Sequence, residues 1–252
     1  MMQLDRKKIS NRICGRMAKA VRVYEMIPTG SRILAAISGG KDSLTMLYHL
    51  LLLKRSLPQE YSLHPVHVRA DFPGCPKDDG MVELVAGWGS MLRIIDVPVM
   101  ARLKPGKRMN CYWCATQRRM ELLKYAEKEK LDTIALGHHM DDILETFFMN
   151  LLHKGELSTM LPAMQYEKYS QRLIRPLALV KEQDTIAFAR ASGIDSVACT
   201  CPYGQESKRN DVREIIEQLT GSNAHRKDAI FRAMANPIPE YLPIPPEGDS
   251  VP

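Results

Sequence analysis

Ser38-Gly39-Gly40-Lys41-Asp42-Ser43 sets two residues without side chains beside two hydroxyls and an ammonium group. A glycine-rich turn lets backbone N–H groups approach an anion with no Cβ in the way, so the segment can cradle phosphate oxygens. A helix starting at its end would add free N–H groups and a positive dipole end, with Lys41 and the Ser38 and Ser43 hydroxyls as further donors. It is not a Walker A loop, which needs G-x-x-x-x-G-K-[ST]: Ala35 stands in place of the first glycine and Asp42 follows the lysine. The plain alternative is a tight turn with Ser43 capping a helix.

Sulfur supplies the second kind of chemistry. Cys111-Tyr112-Trp113-Cys114 places two thiols at a predicted helix start, where the dipole favours the metal-binding thiolate. A C-x-x-C pair alone serves zinc sites and redox pairs equally. Cys199-Thr200-Cys201-Pro202 adds thiols distant in sequence, which favours a folded site. Four thiolates suit tetrahedral Zn²⁺, and three suit a [4Fe–4S] cluster with one iron left open. Cys14 and Cys75 are isolated and read as small hydrophobes or incidental thiols. A third stretch runs from Gly137 to Thr146, where His138, Asp142 and Glu145 share one side by three-and-four spacing. It is not H-E-x-x-H, which argues against a hydrolytic zinc, and a cap by Asp141 with an exposed acidic turn is its plain alternative.

The elements that must hold these residues alternate. Arg32 to Ile37, Leu63 to Val68, Leu92 to Val97 and Thr133 to Leu136 read as strands, with Gln171 to Pro176 a possible fifth. Helices are expected to about Lys54, from Met81 to Met91, Cys114 to Lys130, Asp141 to His153, Glu182 to Ser192 and Asp211 to Leu219. This order predicts an α/β fold with a doubly wound, mostly parallel sheet. Three segments follow: a basic N-terminal helix over 1–30, a catalytic domain over 31–220, and a C-terminal extension over 221–252 that is proline-rich from Asn236.

The chain has 252 residues, 45% hydrophobic and 25% charged, enough for one sizeable core. Its net charge of +6 resides in residues 1–22, which carry seven basic residues and Asp5 alone; the remainder holds 28 basic and 28 acidic residues. Between Ser10 and Tyr24, Ile13, Met17, Val21 and Tyr24 recur at helical spacing, and Arg12, Arg16 and Lys19 recur on another face. That stripe suits an ordinary solvated face or contact with nucleic acid. The longest apolar run, Met46 to Leu53 with His49 inside it, is too short to span a membrane and reads as a buried helix. Nothing resembles a secretory signal, so the expectation is a cytoplasmic protein in a reducing compartment, where close-spaced cysteines bind metals or catalyse.

The six residues from Ser38 to Ser43 resemble the PP-loop of the N-type ATP pyrophosphatases, which cleave ATP to AMP and pyrophosphate. That resemblance implies ATP as cofactor, held by Ser38, Gly39, Gly40, Lys41, Asp42 and Ser43. It also implies an adenine slot near Ala36 and Val68 and a nucleotide contact at Gly137. The Gly137 to Thr146 stretch resembles the second signature of tRNA-modifying PP-loop enzymes, with Asp142 for Mg²⁺ or general acid–base work and Lys41 as a further catalytic group.

The order of loop, Cys111-x-x-Cys114, Gly-His-His-x-Asp-Asp, Ile174-Arg175-Pro176-Leu177 and a late cysteine is similar to the tRNA 2-thiocytidine synthetase family. Members are cytoplasmic, often dimeric, and replace the C2 oxygen of an anticodon-loop cytidine with sulfur after adenylating it. The resemblance implies Cys111, Cys114 and Cys201 as ligands of a [4Fe–4S] cluster that holds sulfur rather than transferring electrons. A persulfide on Cys199 is the competing sulfur carrier, and a sulfur donor such as a cysteine desulfurase is the implied partner beside tRNA. One departure stands out: Cys199-x-Cys201 before Pro202-Tyr203-Gly204-Gln205 replaces the family's usual C-x-x-C before Gly-Ser-Gln. The alternatives are another PP-loop adenylating enzyme, of the 2-thiouridine or lysidine synthetase type, and a non-catalytic zinc RNA-binding module.

Overall fold

A computed structural model of the chain describes residues 2–71, 79–103, 106, 109, 111–194, 208–221 and 223–243. The strands are β1 (Ser31–Ile37), β2 (Tyr61–Ala70), β3 (Arg93–Val97), β4 (Thr133–Ala135), β5 (Ala163–Gln165) and β6 (Arg172–Ile174). The helices are α1 (Met2–Val23), α2 (Lys41–Leu53), α3 (Asp79–Gly87), α4 (Cys111–Lys128), α5 (Met140–Lys154), α6 (Glu182–Ala191), α7 (Lys208–Thr220) and α8 (Ala224–Ala233). One sheet forms in the order β3-β2-β1-β4-β6-β5. Every pairing is parallel except that of β5 with β6, so the doubly wound α/β expectation holds.

Parallel strands covered on both faces must be apolar throughout, and β1 meets this with Ile33, Leu34, Ala35 and Ile37 buried. β1 lies between β2 and β4, where the order of connection reverses. Such a switch point opens a crevice beyond the carboxyl ends of the strands. Ala35 of β1 is level with Ala135 of β4, so the segments after both strands leave at the same edge.

Two compact units share the chain: Met1–Ile143 with Met160–Ser207, and Leu144–Thr159 with Lys208–Pro252. In the first, α1 packs against α2 and α6; Ile13, Met17 and Val21 of the expected apolar stripe are buried, as is Ala20, while Tyr24 at its end is only partly buried. Two basic residues of its other stripe are engaged: Arg12 and Arg16 both pair with Asp184 of α6, at 2.5 and 3.3 Å. His49 is fully buried, as the apolar run predicted; its Nδ1 donates to Thr45 O at 2.8 Å and Nε2 lies 3.1 Å from Ser10 Oγ. In the second unit Val212 and Ile216 of α7 are buried, and Arg209 and Arg213 hold the buried carboxylate of Glu145 at 3.2 and 2.5 Å.

Three elements are additional to the sequence reading, one of them a 3₁₀ turn at Pro239–Tyr241 in the proline-rich extension. β5 is an antiparallel edge strand of three residues, too short for a period to register. α8 has no buried residue among those described and relies on its N-cap, Asn223, whose side chain accepts from His225 N at 2.9 Å. Among the described residues no helix is long and apolar enough to cross a membrane.

Candidate nucleotide-binding site

The chain leaves β1 through a turn that only glycine adopts without strain: Gly39 has φ +86°. Gly40 is the N-cap of α2 in extended conformation and offers no side-chain cap, so the first N–H groups of α2 face outward from the turn. The two serines brace it from within. Ser43 Oγ accepts from Ser38 N at 3.1 Å and donates to Gly40 O at 2.9 Å, while Ser38 Oγ accepts from Gly40 N at 3.3 Å and lies 3.1 Å from Ser43 Oγ. The hydroxyls expected as phosphate donors therefore shape the loop that presents backbone donors.

Lys41 points elsewhere. Its ammonium lies 2.9 Å from Asp42 and 3.0 Å from Glu182 at the start of α6. Burial pushes this ammonium down, but the hydrogen-bonded carboxylates of Asp42 and Glu182 outweigh burial and leave its pKa above the ordinary lysine value. Asp42 also accepts from Thr185 Oγ1 at 2.5 Å, and His139 Nε2 stands 3.9 Å from both Asp42 and Glu182. The sequence reading placed Glu182 and Thr185 in a helix but gave them no site role, since they lie more than 140 residues from their partners in the loop.

The second wall follows β4. A Cβ on Gly137 would sit 2.9 Å from both Ser43 N and Ser43 Cα, so close approach to the loop backbone requires glycine there. Asp142 Oδ2 accepts from His139 N at 2.9 Å, and His139 Nδ1 accepts from Asp142 N at 3.3 Å. This reciprocal pair caps α5 in the manner of a capping box. Asp141 caps a different helix, accepting from Glu182 N of α6 at 2.8 Å. Glu145, placed by spacing on the same side as Asp142, does not reach the pocket and belongs to the arginine cluster of α7 described above.

Between these walls lies a pocket of about 370 Å³. Ser38, Gly40, Asp42, Ser43, Gly137, His138 and Asp142 form its polar side; Ala36, Val66, Val68, Leu122 and Leu136 form an apolar side that suits a flat base. Of the residues that the sequence reading assigned to the nucleotide, Ala36, Val68, Gly137 and Asp142 line this one pocket, whereas Gly39 and Lys41 are not in its lining. The remaining wall is α4, which contributes Ala115, Arg118, Arg119 and Leu122 at helical spacing. Arg118 and Arg119 both border the pocket that the phosphate loop lines, and neither has a hydrogen-bonded or ion-paired partner among the described residues. Arg175 is close behind, buried and donating to Leu161 O. Burial and then the charge of Arg119 bring its pKa down to about 10, against the opposing pull of Tyr166 and Asp142.

Cys111 opens α4, and Cys114, one turn on, is half-buried against the core that Leu122 and Leu123 help to form. The cysteine motif thus stands on the same helix as Ala115, Arg118, Arg119 and Leu122 of the pocket wall, and Cys114 directly precedes Ala115. Cys75, Cys199 and Cys201 lie outside the described residues, and among the described ones no three His, Cys, Asp or Glu side chains converge to hold a metal ion.

The sequence model of the PP-loop domain matches residues 11–219. A tRNA-cytidine(32) 2-sulfurtransferase of Syntrophotalea carbinolica is 34% identical over 229 residues, 89% of this chain and 88% of that one. Another from Francisella tularensis is 30% identical over 240 residues, 94% of this chain and 90% of that one. The chain belongs to the tRNA 2-thiocytidine synthetase family of PP-loop proteins. As a member of that family it is an enzyme, a sulfurtransferase. Among solved structures, the U34-tRNA thiolase of Methanococcus maripaludis, determined with its [4Fe–4S] cluster, superposes with a TM-score of 0.73. It covers 90% of this chain and 78% of that one, and at 23% identity the likeness is one of fold.

Proposed function

We propose that this chain uses ATP to replace the C2 oxygen of a tRNA cytidine with sulfur, giving 2-thiocytidine. The observation that carries the reading is α4, which opens with the cysteine motif and, from Ala115 on, lines the candidate nucleotide pocket. One helix therefore serves both the phosphate-loop pocket and the thiolate chemistry. A lysidine synthetase or a zinc module would leave one of them idle.

In the proposed first step the cytidine C2 oxygen attacks the α-phosphorus of ATP; a new P–O bond forms, the bond to the β-phosphate oxygen breaks, and pyrophosphate leaves. The N–H groups at the start of α2 and the guanidinium groups of Arg118 and Arg119 would stabilise the charge gathering on the phosphates. Lys41, tied to Asp42 and Glu182, would hold the loop against α6. Mg²⁺ binds through one or two carboxylates plus substrate phosphates, and Asp142, on the pocket wall, would supply the carboxylate. In the second step a sulfide equivalent from a donor of the cysteine desulfurase class forms the C2–S bond, and AMP leaves with the oxygen. Cys111, Cys114 and Cys201 would hold the [4Fe–4S] cluster, which when bound would supply a binding place for that sulfur. The half-buried thiol of Cys114 on the pocket-facing helix suits such a ligand. Because the base must enter a pocket, the target is an unstacked loop nucleotide. As an enzyme acting on tRNA it would work in the cytoplasm.

Iron and acid-labile sulfide, measured after anaerobic purification, test the reading. About four of each per chain are expected. Cys201→Ala should lose them and Cys199→Ala should keep them. Stoichiometric zinc without iron would contradict the cluster.

A further inference from the structure

With its apolar face turned to α2 and α6, α1 presents Lys8, Arg12, Gly15, Lys19 and Arg22 on the opposite side. Spaced four, three, four and three residues apart, they line up on a helix of 3.6 residues per turn, and all are exposed. At 1.5 Å per residue the stripe is about 21 Å long. Asp5, in the first turn, is the only acidic residue of the helix. Lys8, Lys19 and Arg22 have no ion-paired partner among the described residues. A Cβ added at Gly15 would meet nothing within 4 Å, so packing inside the chain does not require glycine there. A mid-helix glycine costs about 1 kcal/mol relative to alanine, and here it leaves a gap in the stripe through which a partner can approach the backbone.

The centre of the stripe is fixed from beneath. Asp184, with its side chain 3% exposed, holds Arg12 at 2.5 Å and Arg16 at 3.3 Å, while the two arginine side chains remain 51% and 33% exposed. One carboxylate cannot occupy the ten N–H donors of two guanidinium groups, so donors remain for an outside acceptor. Arg12, Arg16, Gln183 and Asp184 border an open pocket of about 310 Å³. The fork carries one net positive charge and is already oriented, which lowers the cost of ordering it on binding. It also stands near the reaction: Asp184 follows by two residues Glu182, whose carboxylate holds Lys41 of the phosphate loop at 3.0 Å.

We propose that this face of α1 docks the phosphate backbone of the RNA substrate, with the Arg12 and Arg16 fork as its fixed centre. The inference rests on the tRNA reading given above and extends it to a named surface. A straight run of one sign matches a uniformly charged polymer. Membrane insertion is disfavoured because the apolar face of α1 is already buried in the fold.

The test measures binding of labelled tRNA to the full chain across 50–200 mM salt, alongside affinity for a fluorescent ATP analogue. The variant Lys8→Gln/Lys19→Gln/Arg22→Gln leaves the fork and the pocket intact. It should flatten the slope of log affinity against log salt by about 2 and weaken binding about 10-fold or more at low salt, with ATP affinity unchanged. Gly15→Glu, which has open space and a better helix former, should weaken tRNA binding in the same direction. A control, Lys54→Gln/Lys128→Gln/Lys130→Gln, removes the same charge from exposed positions elsewhere and should keep the wild-type slope. Wild-type binding with an unchanged stripe variant, or an equal loss in the control, overturns the surface and leaves the proposed function standing. Wild-type protein that does not bind tRNA overturns both. Loss of binding to phosphatidylserine vesicles in the stripe variant, with the tRNA slope unchanged, would assign the face to lipid and overturn it too.

Discussion

At Gly137 the two walls of the pocket meet, and a single methyl group decides whether they can. A Cβ there would stand 2.9 Å from backbone atoms of Ser43, which cannot swing aside as a side chain could. Gly137→Ala should therefore lower ATP affinity by about 10-fold or more while the far-ultraviolet circular dichroism stays that of wild type; titration with an ATP analogue checks both. His49 tests the core in the same way. Burial, aided by the charge of Arg6 and opposed by the Thr45 carbonyl, brings its pKa from 6.5 down to about 4. Between those values the unfolded chain takes up a proton that the folded chain refuses, so stability falls as pH drops from about 6.5 to about 4, by roughly 3 kcal/mol at most. Urea titrations across that window should show the slope, and His49→Gln should flatten it. The turn at Ser38 to Ser43 was legible because glycine and serine declare one, whereas the inward role of the two hydroxyls was not. Glu182 and Thr185 were not legible, because only the fold brings them to Lys41 and Asp42.

Elements convert those local choices into a site. β1 and β4 are level at Ala35 and Ala135, and this register brings the phosphate turn and Gly137 to one edge. Most of this was readable: apolar runs of strand length alternating with helical periods dictate a parallel sheet. β5 and α8 were not, since one is three residues long and the other buries too little to show a period. The arginines of α4 lay between the two cases. Helical spacing from Cys114 to Arg118 was present in the sequence, but the direction of that face became clear only with α4 packed on β2 and β4. The union of α1 with α6 depends on Asp184, a buried carboxylate at the first turn of α6. Asp184→Ala leaves two partly exposed arginines able to find water, so the loss should be about 1–2 kcal/mol rather than that of a fully buried pair. The midpoint of urea unfolding measures it.

For the whole molecule, the proposed function requires ATP and sulfur to act on the same base. The pocket offers an apolar slot, a phosphate turn and two guanidinium groups, and the helix supplying those guanidinium groups begins with the cysteine pair. Loss of either partner should stop the reaction. The most direct measurement incubates anaerobically reconstituted protein with tRNA, Mg²⁺ and a sulfide source, with and without ATP, and follows nucleosides by mass spectrometry and pyrophosphate in parallel. The expected result is 2-thiocytidine formed only with ATP, with one AMP and one pyrophosphate per sulfur introduced. Thiolation without ATP, or ATP cleavage that yields a modified nucleoside without sulfur, would contradict the account.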